Sequence, residues 1–193
     1  EGFTRDPDRV HRFYNQRRDQ LLHQGIEPNP AHFALADFEH RFSGNYTLIT
    51  QNIDDLHGRA GSNSPLHMHG ELFKIRCSQS GRLFECRENT TPLSKCLCCG
   101  LPGNLRPHVV WFGEMPLYMN EIYQALNNCD LFIAIGTSGN VYPAAGFFET
   151  AKMVGAHTAE LNLEASLNGS QFAEQHYGPA SEVVPHYLKT ITN

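Results

Sequence analysis

Thr50-Gln51-Asn52-Ile53-Asp54-Asp55-Leu56-His57, followed shortly by His67-Met68-His69-Gly70, decides how this chain is read. Its left flank, Tyr46-Thr47-Leu48-Ile49-Thr50, is a short β-type run and predicts a buried strand. An amide pair, a carboxylate and then histidines follow directly. In an open α/β sheet the ligand sits beyond the carboxyl ends of the strands, so polar groups crowded just past a strand mark a candidate site. A polar loop with a satisfied histidine would explain one His, but neither the Gln-Asn-x-Asp cluster nor the His-Gly pair.

Outward from that stretch, the pattern is one of alternating helices and strands. Asp6 can cap a first helix with Pro7 at its first position. Val10, Phe13, Tyr14, Leu21 and Leu22 recur at helical spacing until Gly25. A second helix opens near Asn29-Pro30, carries Phe33, Leu35, Phe38 and Phe42, and ends by Gly44. Leu66 to His69 and Leu72 to Arg76 are β-like around Gly70, and Val109 to Gly113 reads as strand and turn. Pro116 to Cys129 reads as helix. Leu131-Phe132-Ile133-Ala134-Ile135 is a near-continuous apolar run, as expected of a strand covered on both faces. A helix over Pro143 to Met153, a strand over His157 to Leu163 and a closing helix over Ser181 to Ile191 complete the series. The alternation predicts an α/β fold with a Rossmann-like, doubly wound parallel sheet. The expected division is residues 1–76 and 105–193 as that domain, with 77–104 as a small cysteine-bearing insert.

The 193 residues can bury one full core with a small appended module. With 15 Lys+Arg against 20 Asp+Glu, a formal charge of -5 and no basic run, the electrostatic footprint of a nucleic-acid binder is missing. The apolar runs are too short to span a bilayer, and no signal-peptide pattern opens the chain. Five of the six cysteines (Cys77, Cys86, Cys96, Cys98 and Cys99, with Cys129 apart) fall within residues 77–99. Such clustering without a secretory signal favours a metal site over disulfides and points to the cytoplasm.

Two strands end in small or polar loops, Thr50 into Gln51-Asn52-Ile53-Asp54 and Ile135 into Gly136-Thr137-Ser138. Glycine lets backbone approach a phosphate or ribose closely, and hydroxyls and amides supply hydrogen bonds. A third strand ends in Leu161-Asn162-Leu163-Glu164. Among the histidines, an imidazole titrates near neutrality and can take a proton from a hydroxyl at physiological pH. Val109-Val110-Trp111-Phe112-Gly113-Glu114 could take an extended chain as an added strand, through main-chain bonds with little demand on its sequence. Tyr14 and Arg17, at i and i+3 on one helix, could bind a carboxylate together.

These segments, with TQNIDDLH, HMHGELFKIRC, LRPHVVWFGEMP, GTSGNVYPAAGF and FYNQRR, resemble the sirtuins, and within them the class III, bacterial CobB-type branch. The resemblance runs over nearly the whole chain and implies an NAD-dependent protein-lysine deacylase. It implies that Gln51, Asn52, Ile53, Asp54, Gly136, Thr137, Ser138, Asn162, Leu163, Glu164 and Ala180 line NAD, with Asn162 and Ala180 at the adenosine end. It picks out His69 as the base and Val110, Phe112 and Gly113 as the substrate track. Tyr14 and Arg17 match the YxxR of the branch that accepts succinyl- and malonyl-lysine. In the chemistry it implies, the acyl oxygen attacks C1′ of the nicotinamide ribose, nicotinamide leaves, and His69 deprotonates a ribose hydroxyl. The products are free lysine, nicotinamide and O-acyl-ADP-ribose.

Two departures accompany the resemblance. A structural zinc takes four ligands, and Cys77, Cys96 and Cys99 fit three positions while Ser80 stands at the fourth. Either Cys98 or Cys86 completes the set, or the metal is held weakly, or the module has lost it. The family also carries a strand and a Gly-Ala-Gly-x-Ser phosphate loop ahead of the region where this sequence starts, at Glu1 without an initiator Met. The expectation is therefore that the chain as given binds NAD poorly and is inactive or nearly so. The expected partners are NAD and acylated lysines of proteins, with neither nucleic acid nor membrane, and the oligomeric state stays open. Two alternatives stand beside the deacylase: a non-catalytic acyl-lysine or ADP-ribose binding module, and a zinc-ribbon nucleic-acid protein, which the acidic balance opposes.

Overall fold

The computed structural model describes residues 2–166 and 169–191. The helices are α1 (Gly2–Arg5), α2 (Pro7–His23), α3 (Pro30–Arg41), α4 (Leu56–Arg59), α5 (Met119–Leu126), α6 (Phe147–Met153) and α7 (Ala180–Thr190). The strands are β1 (Ile49–Thr50), β2 (Leu66–His67), β3 (Gly70–Cys77), β4 (Leu83–Glu85), β5 (Leu105–Val109), β6 (Leu131–Ile135), β7 (His157–Asn162) and β8 (Glu174–Tyr177). They form a pair, β1-β2, and two three-stranded sheets, β4-β3-β5 and β6-β7-β8. No helix among the described residues is long and apolar enough to cross a membrane.

The chain divides into two compact units. One comprises Glu1–Glu27, Ile49–Leu56 and His67–Leu117; the other comprises Pro28–Leu48, His57–Leu66 and Tyr118–Asn193. This differs from the sequence-based division, because the cysteine-bearing stretch does not stand alone. It shares a unit with α2 and with the segment around His69.

In the first unit α2 starts as its sequence predicts. The Asp6 side chain accepts from the Arg9 N–H at 2.9 Å, and Pro7 sits in the first turn where no N–H is needed. His11, Tyr14, Arg18 and Leu21 form its buried stripe. Tyr14 and Leu21 pack with Leu72, Phe73 and Val109 of the antiparallel sheet. Arg18, fully buried, points its guanidinium at the Leu72 carbonyl at 3.4 Å and at Thr90 Oγ1 at 3.3 Å. β3 pairs antiparallel with both β4 and β5, with a register shift between Gly70 and Ile75. Gly70 is required there: its φ is +85°, and a Cβ would lie 2.0 Å from the His108 carbonyl oxygen. Ile75, Cys77, Cys86, Cys96 and Leu105 form a second cluster under the cysteines.

The second unit carries the parallel sheet. β6, β7 and β8 run parallel in register, Leu131 facing His157 and Ala159 facing Glu174. α6 makes the crossover from β6 to β7, and α7 follows β8. Ala159 and Leu161 pack against Leu35 and Phe38 of α3 and Val184, Tyr187 and Leu188 of α7. The second helix keeps its expected start, since Asn29 Oδ1 accepts from the Ala31 and His32 N–H groups. The strand read over Tyr46 to Thr50 forms only at its last two residues, while Tyr46 and Leu48 pack onto the α3–α7 core.

Candidate active site and metal centre

The loop after β1 is held by its own backbone. His69 Nδ1 lies 3.0 Å from the Gln51 carbonyl oxygen, and His67 Nδ1 lies 3.2 Å from that of Asn52. Leu72 N–H donates to the Ile53 carbonyl at 2.7 Å. Three successive carbonyls are thus bound by the 67–72 segment. Asp54 Oδ1 accepts from the Leu56 N–H at 3.1 Å and opens α4. Asn52 is exposed, and Gln51, Ile53 and Asp54 are half-buried.

The partner of His69 fixes its tautomer. A carbonyl oxygen only accepts, so Nδ1 carries the hydrogen and the neutral ring has its lone pair on Nε2. His69 is half-buried between Met68 and Gly70, both buried. The backbone on either side is pinned, with Met68 N–H bound to Thr50 O at 3.0 Å and Leu117 N–H to Met68 O at 2.9 Å. Val110 N–H donates to the His69 carbonyl at 2.9 Å, so the stretch read as a substrate track is tied to this histidine. β5 ends at Val109, so the strand lies ahead of the stretch read as strand and turn. Beyond it the chain turns, with Glu114 N–H bound to Trp111 O, Gly113 at φ +89° and Phe112 wholly exposed.

Tyr14 and Arg17 occupy one helix but different surroundings. Tyr14 is buried, and its hydroxyl oxygen accepts from the Trp111 indole N–H at 2.8 Å. Burial pushes its pKa up, so the phenol keeps its proton at neutral pH. Arg17 is exposed, with its guanidinium 5.3 Å from the Phe13 ring centroid. Arg106 lies 3.6 Å from the Trp111 ring centroid and binds Glu114 at 2.6 Å; that hydrogen bond is the main reason the Glu114 carboxyl titrates low.

In the second unit the loops at the carboxyl ends of the three parallel strands are joined through Asn162. Its side-chain amide donates to the Thr137 carbonyl at 2.8 Å, and its carbonyl accepts from Gly178 N–H at 2.9 Å. Gly136 N–H donates to Leu161 O at 3.0 Å. Gly136 has φ +62°, with open space where a Cβ would be. Ser138, Leu163 and Glu164 are exposed, and Ala180 begins α7. Small residues and polar side chains beyond parallel strand ends suit a nucleotide.

The sulfur cluster holds one cysteine more than the three the spacing suggested. The sulfurs of Cys77, Cys96, Cys98 and Cys99 all lie within 4.8 Å of one another. Four thiolates at a Zn–S length of about 2.3 Å would sit about 3.8 Å apart, so the group fits a closed tetrahedral zinc. Ser80 Oγ is 3.2 Å from Cys98 Sγ, and Cys96 Sγ is 3.3 Å from it. Ser80, at the position the spacing gave to a fourth ligand, thus bonds the fourth cysteine of the cluster. Cys86 is outside this group, its thiol directed at the Glu88 carbonyl. The Cys77 thiol is drawn down to about 6, chiefly by a hydrogen bond from the Ser80 side chain.

The Sir2 family profile matches residues 1–143. An NAD-dependent protein deacylase of Escherichia coli is 59% identical over 191 residues, covering 99% of this chain and 70% of the relative. A solved Sir2 homolog in complex with NAD is 35% identical with a TM-score of 0.88, covering 98% of this chain and 74% of that one. Sir2Af2 bound to a myristoylated histone peptide is 34% identical with a TM-score of 0.81, covering 99% and 82%. A profile match over most of the length, with relatives at such identity, settles the lineage: the chain belongs to the Sir2 family.

Proposed function

We propose that this protein is an NAD-dependent protein-lysine deacylase, removing acetyl groups and also the acidic succinyl and malonyl groups. The observation that carries the reading is the His69 arrangement. An imidazole with Nδ1–H bound to the Gln51 carbonyl presents a free Nε2 lone pair, and its own carbonyl holds Val110 of the substrate stretch. NAD, when bound, supplies the ribose that takes the acyl oxygen and the nicotinamide that leaves. Gln51, Asn52, Ile53, Asp54, Gly136, Thr137, Ser138, Asn162, Leu163, Glu164 and Ala180 would line it, with Asn162 and Ala180 at the adenosine end. His69 accepts the proton of a ribose hydroxyl at Nε2. Val110, Phe112 and Gly113 hold the acyl-lysine peptide in extended form. Tyr14 donates, and Arg17 adds charge, to the distal carboxylate of an acidic acyl group. The free, clustered cysteines support a reducing compartment, the cytoplasm.

Incubating the full-length protein with NAD and an acetyl- or succinyl-lysine peptide should release nicotinamide and unmodified peptide in equal amounts. Binding of ADP-ribose or acyl peptide without turnover would favour a binding module instead.

Zinc at Cys77, Cys96, Cys98 and Cys99 belongs to the same proposal, as a structural ion. Protein prepared without chelator should carry close to one zinc per chain. Cys98→Ala should lower that content sharply, whereas Cys86→Ala should leave it. Full zinc in Cys98→Ala would remove Cys98 from the ligand set.

A further inference from the structure

We propose that Trp111 is a positioning residue for acyl selectivity: its indole N–H fixes the Tyr14 hydroxyl as a donor toward the carboxylate of an acidic acyl-lysine. The inference rests on the reading of Tyr14 given above and goes beyond it. An indole N–H can only donate, while a phenol has one proton and lone pairs to accept with. With Trp111 Nε1–H 2.8 Å from Tyr14 Oη, the oxygen must accept on that side. The phenolic proton is therefore turned away from the indole. A carboxylate only accepts, so a phenol locked as donor binds it without first reorienting, whereas a freely turning hydroxyl must lose that freedom on binding.

The tryptophan is itself fixed from several sides. Arg106 stacks on its ring at 3.6 Å and donates to Glu114 through both terminal nitrogens, at 2.6 and 3.0 Å. Glu114 Oε2 also accepts from the Trp111 backbone N–H at 3.0 Å, and Arg106 Nη2 donates to Val109 O at 3.0 Å. Phe3 packs 5.5 Å from the indole, ring centroid to ring centroid. The Glu114 charge is thereby engaged by Arg106 rather than left to repel an acidic acyl group. A neutral acetyl group has no carboxylate to meet Tyr14, so the arrangement acts on selectivity.

The test is Trp111→Phe, which keeps an aromatic ring for Arg106 and removes the N–H. kcat and KM are measured for succinyl- and acetyl-lysine peptides of one sequence in the full-length parent, Trp111→Phe, Tyr14→Phe and the double variant, with melting temperatures alongside. The succinyl-to-acetyl ratio of kcat/KM should fall roughly three- to tenfold in Trp111→Phe, about the worth of one neutral hydrogen bond. The fall should lie mainly in the succinyl KM. In the Tyr14→Phe background, Trp111→Phe should change the ratio no further, since there is no hydroxyl left to orient. A ratio that moves in Tyr14→Phe but not in Trp111→Phe overturns the role of Trp111 alone. So does an equal loss on both peptides, or an effect that persists undiminished without the hydroxyl. A ratio unmoved by Tyr14→Phe overturns the reading of Tyr14 and this inference with it.

Discussion

In the full-length protein His69→Ala should lower deacylation by at least about 10²-fold, the usual contribution of a positioned general base. The substitution removes the only atom assigned to take the ribose proton, Nε2, whose lone pair is free because Nδ1–H is engaged by Gln51. It removes little that the fold depends on. His69 is half-buried, and its backbone carbonyl, which holds Val110 N–H, survives the change. Melting temperature and acyl-peptide affinity should therefore stay near those of the parent while kcat collapses. A well-folded His69→Ala protein that turns over acetyl peptide at near-normal rate would sink the assignment. His67→Ala is the informative neighbour: His67 is buried and bound to the Asn52 carbonyl, so its loss should appear mainly as instability.

Tyr14→Phe and Arg17→Met should each cut succinyl-lysine turnover by roughly one to two decades relative to acetyl-lysine turnover. Hydrogen bonds to a charged partner contribute about 1.5–3 kcal/mol, and an acetyl group offers no such partner. The two need not be equal. Tyr14 is buried with its donor oriented, so its bond forms away from water, whereas Arg17 is exposed and stacked on Phe13. Arg17→Met should thus give the smaller and more salt-sensitive effect. The measurement is kcat/KM on matched peptides at two ionic strengths. Equal losses on both acyl groups would make the pair structural.

What the sequence made legible was what local chemistry decides. Asp6 with Pro7, and Asn29 with Pro30, placed two helix starts correctly because capping is settled within four residues. The apolar run from Leu131 to Ile135 became a strand of a parallel sheet, as its lack of alternation required. What stayed hidden depended on residues far apart in the chain. β8, Glu174-Gln175-His176-Tyr177, has no apolar signal and is a strand only because β7 offers it a partner. β5 was placed too late because its pairing with β3 runs through Leu105, Arg106 and Pro107, whose composition does not suggest a strand. Spacing found three cysteines, but the choice of Cys98 over Cys86 needed the fold that swings Ser80 and Cys98 together. Trp111 and Tyr14 are 97 residues apart, and nothing in either neighbourhood announces the bond.

The polar join between α2 and Thr90 bears on how the family can be recombined. Thr90 Oγ1 meets His11 and Arg18, and its backbone exchanges hydrogen bonds with the Asn15 side chain in both directions. The stretch from Cys77 to Asn104 is therefore not an exchangeable cassette. A chimera that imports it with an apolar residue at position 90 would strand donors on a buried helix face, at about 1–3 kcal/mol for each group left unpaired. Successful grafts should be those that carry the first helix along with the insert.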